Sequence, residues 1–176
     1  DMPWAQARLG ADRILGAYAW RSLLQSGARI AAGSDFPVEE ADPRVGLHAA
    51  VTRTDAQGQP AGGFLPSERL TLGEALRAFT TDAAYAAFAE DSIGQIRVGR
   101  RADVTILGGR FDGYLSGDAS PPTDLLTRNV LLTLVDGQAV YDRLGLSTLG
   151  PAPTRGATAG KPKRRGRRPA QNHANR

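Results

Sequence analysis

The chain has 176 residues, 41% hydrophobic and 23% charged, the balance of a globular protein with a real core. It holds no cysteine, which excludes disulfides, thiolate metal sites and a cysteine nucleophile, and no apolar run approaches the roughly 20 residues of a bilayer span. The net charge of +4 comes from one end: residues 151–176 carry eight of the 22 basic side chains and no acid, leaving 14 arginines against 18 acids, a balance of −4, in residues 1–150.

In chain order, residues 11–26 read as a helix stopped by Gly27, with Ile14, Leu15, Tyr18, Trp20 and Leu24 spread broadly around it. The short apolar run Arg29–Gly33 reads as a strand covered on both faces. It ends in Gly33-Ser34-Asp35 and stops at Pro37. Side chains at the carboxyl ends of strands line the active sites of parallel α/β folds and barrels. An isolated carboxylate there is placed to ligate a divalent metal or to take a proton from metal-bound water. The local pattern equally admits a helix cap or an Asx turn at Asp35.

Residues 36–70 read as mostly irregular, with a Gly/Pro-rich loop over 54–68 of the kind that serves as a lid or binding loop. A short helix carries His48 in "GLHAAV". Residues 72–89 give the strongest helix signal. Thr71 and Glu74 form a capping-box pattern, and Leu72, Ala75, Leu76, Phe79, Ala83, Ala86 and Ala87 share one stripe. Strands follow over 102–108 and 129–135. Asp136-Gly137 is a type I′ hairpin signal with "QAVYD" as the return strand, and loop fills the interval after 108. Residues 150–176 lack apolar residues to bury, and residues 146–176 are expected to be a disordered basic tail.

Among single residues, Ser34 has no histidine base near it in sequence and is a poor nucleophile candidate. Glu39 and Glu40 either rim a site or, the favoured reading, are solvated; His48 is expected on a helix surface or pocket rim rather than as a ligand, and Asp103 to order the turn into a strand. Trp4 and Trp20 are expected to pack.

Taken together, "GSDFPVE", "DPRVGLHAAVTR", "ERLTLGEALRAFTTDAAYAAFAED", "GQIRVGRRADVTIL" and "VLLTLVDGQAVYD" resemble the carboxy-terminal part of amidohydrolase family 3, which belongs to the metal-dependent amidohydrolase superfamily and includes N-acyl-D-amino-acid deacylase-like proteins. The resemblance spans roughly residues 1–143. Its most specific pieces are the Gly-Ser-Asp-Phe-Pro strand end and the Gly94, Ile96, Gly99, Ala102, Asp103 run. It implies an α/β chain: the last elements of a (β/α)8 TIM barrel over 1–92, carboxy-terminal strands of a composite β-sandwich over 93–145, then the tail over 146–176. It implies Asp35 as both catalytic proton acceptor and metal-site acid at the end of the eighth strand, acting on a small-molecule amide-type substrate.

The sequence departs from the family in its ligands. It has only His48 and His173, no His-x-His pair, and no lysine before Lys161. The expectation is therefore about the last third of an amidohydrolase, with Zn2+ or another divalent metal in the full-length parent and none bound by this chain alone. The chain opens on Asp1 rather than Met, without a signal segment. No membrane partner is expected. Oligomeric state and compartment stay open, with the cytoplasm favoured. The alternative is a small α/β protein binding nucleic acid through its basic tail, "KPKRRGRRP"; non-specific polyanion contact by that tail is the favoured expectation over specific nucleic-acid recognition.

Overall fold

The computed structural model describes residues 2–111 and 124–146. Most of the loop after residue 108 lies outside the described residues, as does the basic tail from residue 147 onward. Five helices precede a small sheet: α1 Met2–Arg13, α2 Trp20–Gln25, α3 Pro43–Thr52, α4 Leu72–Phe79 and α5 Thr81–Ala86. The strands are β1 Val104–Leu107, β2 Val130–Val135 and β3 Gln138–Asp142.

The local chemistry of α3 and α4 explains where they start. Asp42 caps α3, accepting from the Arg44 N–H at 2.9 Å, and Pro43 supplies a preset φ in the first turn. At α4 the capping box is complete. Glu74 N–H donates to Thr71 Oγ1 at 3.3 Å, and Thr71 N–H donates to the Glu74 carboxylate at 2.7 Å. Arg21 of α2 grips the same carboxylate with two bonds of 2.6 and 2.7 Å and also donates to the Arg69 carbonyl. Burial alone would raise the Glu74 pKa, but the bonds from Arg21 and Thr71 outweigh it and hold the carboxyl below its ordinary value.

The core lies between α3 and α4. Leu47, Ala50 and Val51 meet Leu72 and Ala75, with Leu70 and Leu125 closing the ends and Trp20, Leu24, Leu76, Phe79 and Phe111 packed around them. Burying each such large side chain contributes about 1.5–3 kcal/mol. The two helices approach closely at Gly46, where a Cβ would stand 2.5 Å from Phe79 Cζ. The Leu70 N–H donates to the Ala50 carbonyl at 3.0 Å, tying the entry to α4 onto α3.

Three expected elements differ. The helix over 11–26 is instead the end of α1, a 3-10 turn over Ile14–Gly16, and α2. Ala17 (φ −80°, ψ 138°) and Tyr18 (φ 52°) interrupt it, and only Ile14 in the turn is buried. Because α1 buries no side chain, Trp4 is 73% exposed rather than packed, whereas Trp20 joins the core.

The helix over 72–89 breaks at Thr80 (φ −127°, ψ −86°). The Thr80 hydroxyl donates to the Leu76 carbonyl at 2.6 Å, and Gly94 folds back to where a Cβ would lie 2.7 Å from the Ala84 Cβ. The buried alanine past the break is therefore Ala84, while Ala86 and Ala87 are exposed.

The run Arg29–Gly33 is extended but forms no strand. The described residues offer it no neighbouring strand, and its amide contact is Ala32 N–H to the Ala78 carbonyl at 3.0 Å.

The sheet follows the sequence closely. Its order is β1-β2-β3, antiparallel throughout, with Thr105 opposite Thr133 and Val135 opposite Gln138. Asp136 (φ 51°) and Gly137 (φ 79°) take the left-handed values of a type I′ turn. Asp103 Oδ1 accepts from the Asp136 N–H at 2.7 Å, and Gly137 N–H donates to the Ala102 carbonyl, so Asp103 braces the hairpin turn between β2 and β3, not the turn into its own strand. Among the described residues no helix is long and apolar enough to cross a membrane.

Replacing Thr71 with alanine deletes one half of the capping box. Urea unfolding at neutral pH should show a loss of about 1 kcal/mol, with the slope of the transition unchanged.

Candidate functional site

The turn after residue 33 is built by short-range bonds. Ser34 Oγ accepts from the Phe36 N–H at 3.2 Å, and the Asp35 carbonyl accepts from the Val38 N–H at 2.9 Å. Ser34 therefore serves the turn. Asp35 itself takes φ 53°, a left-handed conformation that aspartate tolerates better than most residues. Its side chain is exposed and makes no hydrogen bond or ion pair among the described residues.

Exposure alternates along the run. Ala31, Gly33 and Asp35 are exposed, while Ile30, Ala32 and Ser34 are half-buried. This period of two is that of an extended chain with one covered face and one open face. Asp35 stands on the open face.

Beside this turn lies an open-sided cavity of about 670 Å³, bounded by Ile30–Gly33, α3 and α4. Its walls are mainly apolar, with Tyr18, Trp20, Phe64 and Phe79 contributing rings. Glu39 and Glu40 stand at its edge and are exposed, as expected. Asp35 is not in the wall; Gly33, two residues earlier, is.

The polar lining comes from the carboxyl end of α3. His48 is 7% exposed, in the cavity wall rather than on an open rim. Its Nε2 lies 3.1 Å from both Thr54 Oγ1 and the Asp55 carbonyl. A carbonyl oxygen only accepts, so Nε2 carries the proton in the neutral ring and Nδ1 is left as a lone-pair acceptor. That Nδ1 is buried without a partner among the described residues. Thr52 and Thr54 complete the network: the Thr52 hydroxyl donates to the His48 carbonyl at 2.8 Å and lies 2.8 Å from Thr54 Oγ1.

Arg53 ends α3 in a left-handed conformation (φ 62°) and is 4% exposed. Its Nε donates to the Phe64 carbonyl at 2.8 Å. Its guanidinium carbon sits 4.4 Å above the Trp20 ring and 5.7 Å from that of Phe64. Nη2 is buried and unpartnered among the described residues. Burial pushes the Arg53 pKa below its ordinary value, and the charges of Glu68 and Tyr18 oppose this only in part.

Nothing in the local residue pattern marks Arg53. An arginine closing an amphipathic helix ordinarily reads as a solvated last-turn cation. What internalises it is the return of the 54–68 loop, which brings Phe64 over its guanidinium.

Among the described residues no group of three or more His, Asp or Glu side chains is gathered as a metal would require. Catalytic zinc takes about three protein ligands, whereas the turn presents one carboxylate. The donors present here do not by themselves fit a divalent metal.

A model of the amidohydrolase family matches residues 1–141. The Bacillus subtilis protein YtcJ is 36% identical over 143 residues, covering 81% of this chain and 26% of its own. Protein LONG AFTER FAR-RED 3 of Arabidopsis thaliana is 35% identical over 76% of this chain and 22% of its own. An N-substituted formamide deformylase of Arthrobacter pascens is 33% identical over 71% of this chain and 21% of its own. The crystal structure of an amidohydrolase from Thermotoga maritima aligns with a TM-score of 0.47 at 24% identity, covering 72% of this chain and 26% of that one. The chain spans about a quarter of the length of the curated relatives it matches.

Because α3 carries both His48 and Arg53, its cap bears on the cavity. Arg44 holds Asp42 through side-chain and backbone hydrogen bonds that keep its carboxyl below the ordinary 3.8, against the opposing effect of burial. A depressed folded-state value stabilises above the unfolded one. The contribution is therefore complete above about pH 5 and disappears as pH falls below 3.8 through the folded value. Asp42→Ala should cost about 1–2 kcal/mol at pH 7 and flatten the acid limb of a stability-against-pH curve.

Proposed function

This chain belongs to the amidohydrolase family, and from that premise we propose that it serves the hydrolysis of an amide or related C–N bond in a small molecule, with Asp35 as the catalytic acid–base. Residues 1–92 are the closing elements of a TIM barrel in this reading, and residues 93–145 its share of a composite β-sandwich. Asp35 takes a proton from the attacking water as the carbonyl carbon is approached, then delivers it to the departing amine. The observation that carries the reading is the carboxylate's position: at the carboxyl end of an extended run, on the face that α4 leaves open, with nothing among the described residues to occupy it. An acid buried against backbone amides would be unsuited to this task.

The family's chemistry draws on a divalent metal, zinc or another, and the chain offers one carboxylate towards such a site. In this reading the remaining ligands lie outside these 176 residues. The relatives include a protein named as a deformylase of N-substituted formamides. That name supports a C–N bond as the target and leaves the acyl and amine groups to the pocket.

Two measurements bear on this. In an active protein carrying this segment, Asp35→Asn should lower kcat about 100- to 10,000-fold with the fold intact by circular dichroism; near-normal turnover removes Asp35 from the mechanism. Titrated with Zn2+, the 176-residue chain should show no stoichiometric site of micromolar affinity. Such a site would mean that the chain's own residues suffice.

A further inference from the structure

We propose that Ser34 is the positioning residue of Asp35: its hydroxyl holds the turn that an aspartate ordinarily holds with its own carboxylate, and so leaves that carboxylate free for chemistry. The inference deepens the Asp35 reading and rests on it for the claim that a free carboxylate serves turnover. The turn bond itself stands on geometry alone.

Asp35 adopts φ 53°. That conformation is unfavourable for residues other than glycine, and aspartate is tolerated there because its short side chain can bond to nearby backbone. Other aspartates of this chain make such bonds. Asp42, Asp55 and Asp142 each accept through Oδ1 from the N–H two residues on, at Arg44, Gln57 and Leu144, all at 2.9 Å. At Asp35 that bond is chemically impossible. The residue two positions on is Pro37, which has no N–H. The Asp35 carboxylate accordingly makes no hydrogen bond or ion pair among the described residues.

The same kind of bond appears one residue earlier. Ser34 Oγ accepts from the Phe36 N–H, again two residues on, at 3.2 Å. The Val38 N–H donates to the Asp35 carbonyl at 2.9 Å. With proline between them, the two amides that follow Asp35 in the turn are both committed, and neither is left to draw the carboxylate back onto the backbone. Ser34 is half-buried and Asp35 exposed, so the residue that fixes the turn lies on the covered face and the acid on the open one. Ser-Asp-Phe-Pro thus separates two tasks that one aspartate ordinarily combines. Without the Ser34 acceptor the Phe36 N–H loses its partner and Asp35 is no longer held at one backbone setting. Its carboxylate then spreads over several positions relative to a reacting bond, and small misplacements cost catalysis steeply.

The test compares Ser34→Ala, Ser34→Val and Ser34→Thr, of which only the last keeps an acceptor. In the 176-residue chain, amide exchange followed by NMR reads the turn. The alanine and valine variants should speed exchange at Phe36 and Val38 about threefold to tenfold, and threonine should leave it within about twofold. Unchanged exchange at Phe36 in Ser34→Ala overturns the proposal. In an active protein carrying this segment, Ser34→Ala and Ser34→Val should lower kcat about threefold to tenfold with KM unchanged, and Ser34→Thr should restore it. In an Asp35→Asn background Ser34→Ala should cause no further loss, because the hydroxyl acts through the carboxylate. Equal losses with threonine and valine overturn the acceptor role. Equal losses with and without the Asp35 carboxylate overturn positioning. Normal turnover in Asp35→Asn alone removes the Asp35 reading and the catalytic half of this proposal with it, while the exchange result at Phe36 stands or falls separately, so the two failures are distinguishable.

Discussion

The close approach of α3 to α4 is the constraint on which the rest of this structure depends. Gly46 removes the one side chain that would meet the Phe79 ring, and the helices then interlock Leu47, Ala50 and Val51 with Leu72 and Ala75. Each helix is fixed at its start by a side-chain cap. Arg21 ties α2 to the α4 cap, and Arg44 ties the α3 cap to the Arg128 carbonyl ahead of β2. Everything of functional interest hangs from this pair. His48 and Arg53 belong to α3 and its end, and Ile30–Gly33 lies against the end of α4 through Ala32 and Ala78.

The contrast between these parts is informative. The helical pair and the β-hairpin satisfy their own backbone groups, one by helical bonds and the other by ladders and the Asp103 turn bond. The extended run into Asp35 does not, because β-structure needs a partner strand and the described residues provide none beside it. Its sequence is that of a strand, and its alternation of exposed and half-buried residues keeps the geometry of one. Asp35 is thus held at the tip of a segment whose own chemistry asks for neighbours, while the cavity wall beside it is already built.

Much of this was legible in the residues. Thr71 and Glu74 gave the α4 start, Asp136-Gly137 gave the hairpin and its turn type, and the short helix around His48 formed as read. These signals are local: a cap or a turn is decided within four residues. The failures were decided over longer distances. The break at Thr80 depends on Gly94 folding back, and the alanines on either side of it form an unbroken stripe in sequence. The division of residues 11–26 reflects an extended Ala17 and a left-handed Tyr18, which an amphipathic pattern does not report. Arg53 was invisible for a related reason, since Phe64 and Trp20, which enclose it, lie 11 and 33 residues away in the chain.

The α3–α4 contact is the stable centre, and the run into Asp35 is a segment attached to it. Amide hydrogen exchange of the 176-residue chain measures both at once. The slowest amides should fall in Pro43–Thr52 and Leu72–Phe79, together with Leu70, whose N–H reaches Ala50. Within Arg29–Gly33 only Ala32 should be slowed, through Ala78. Uniform strong protection across 29–33, or rapid exchange through α3, would contradict it.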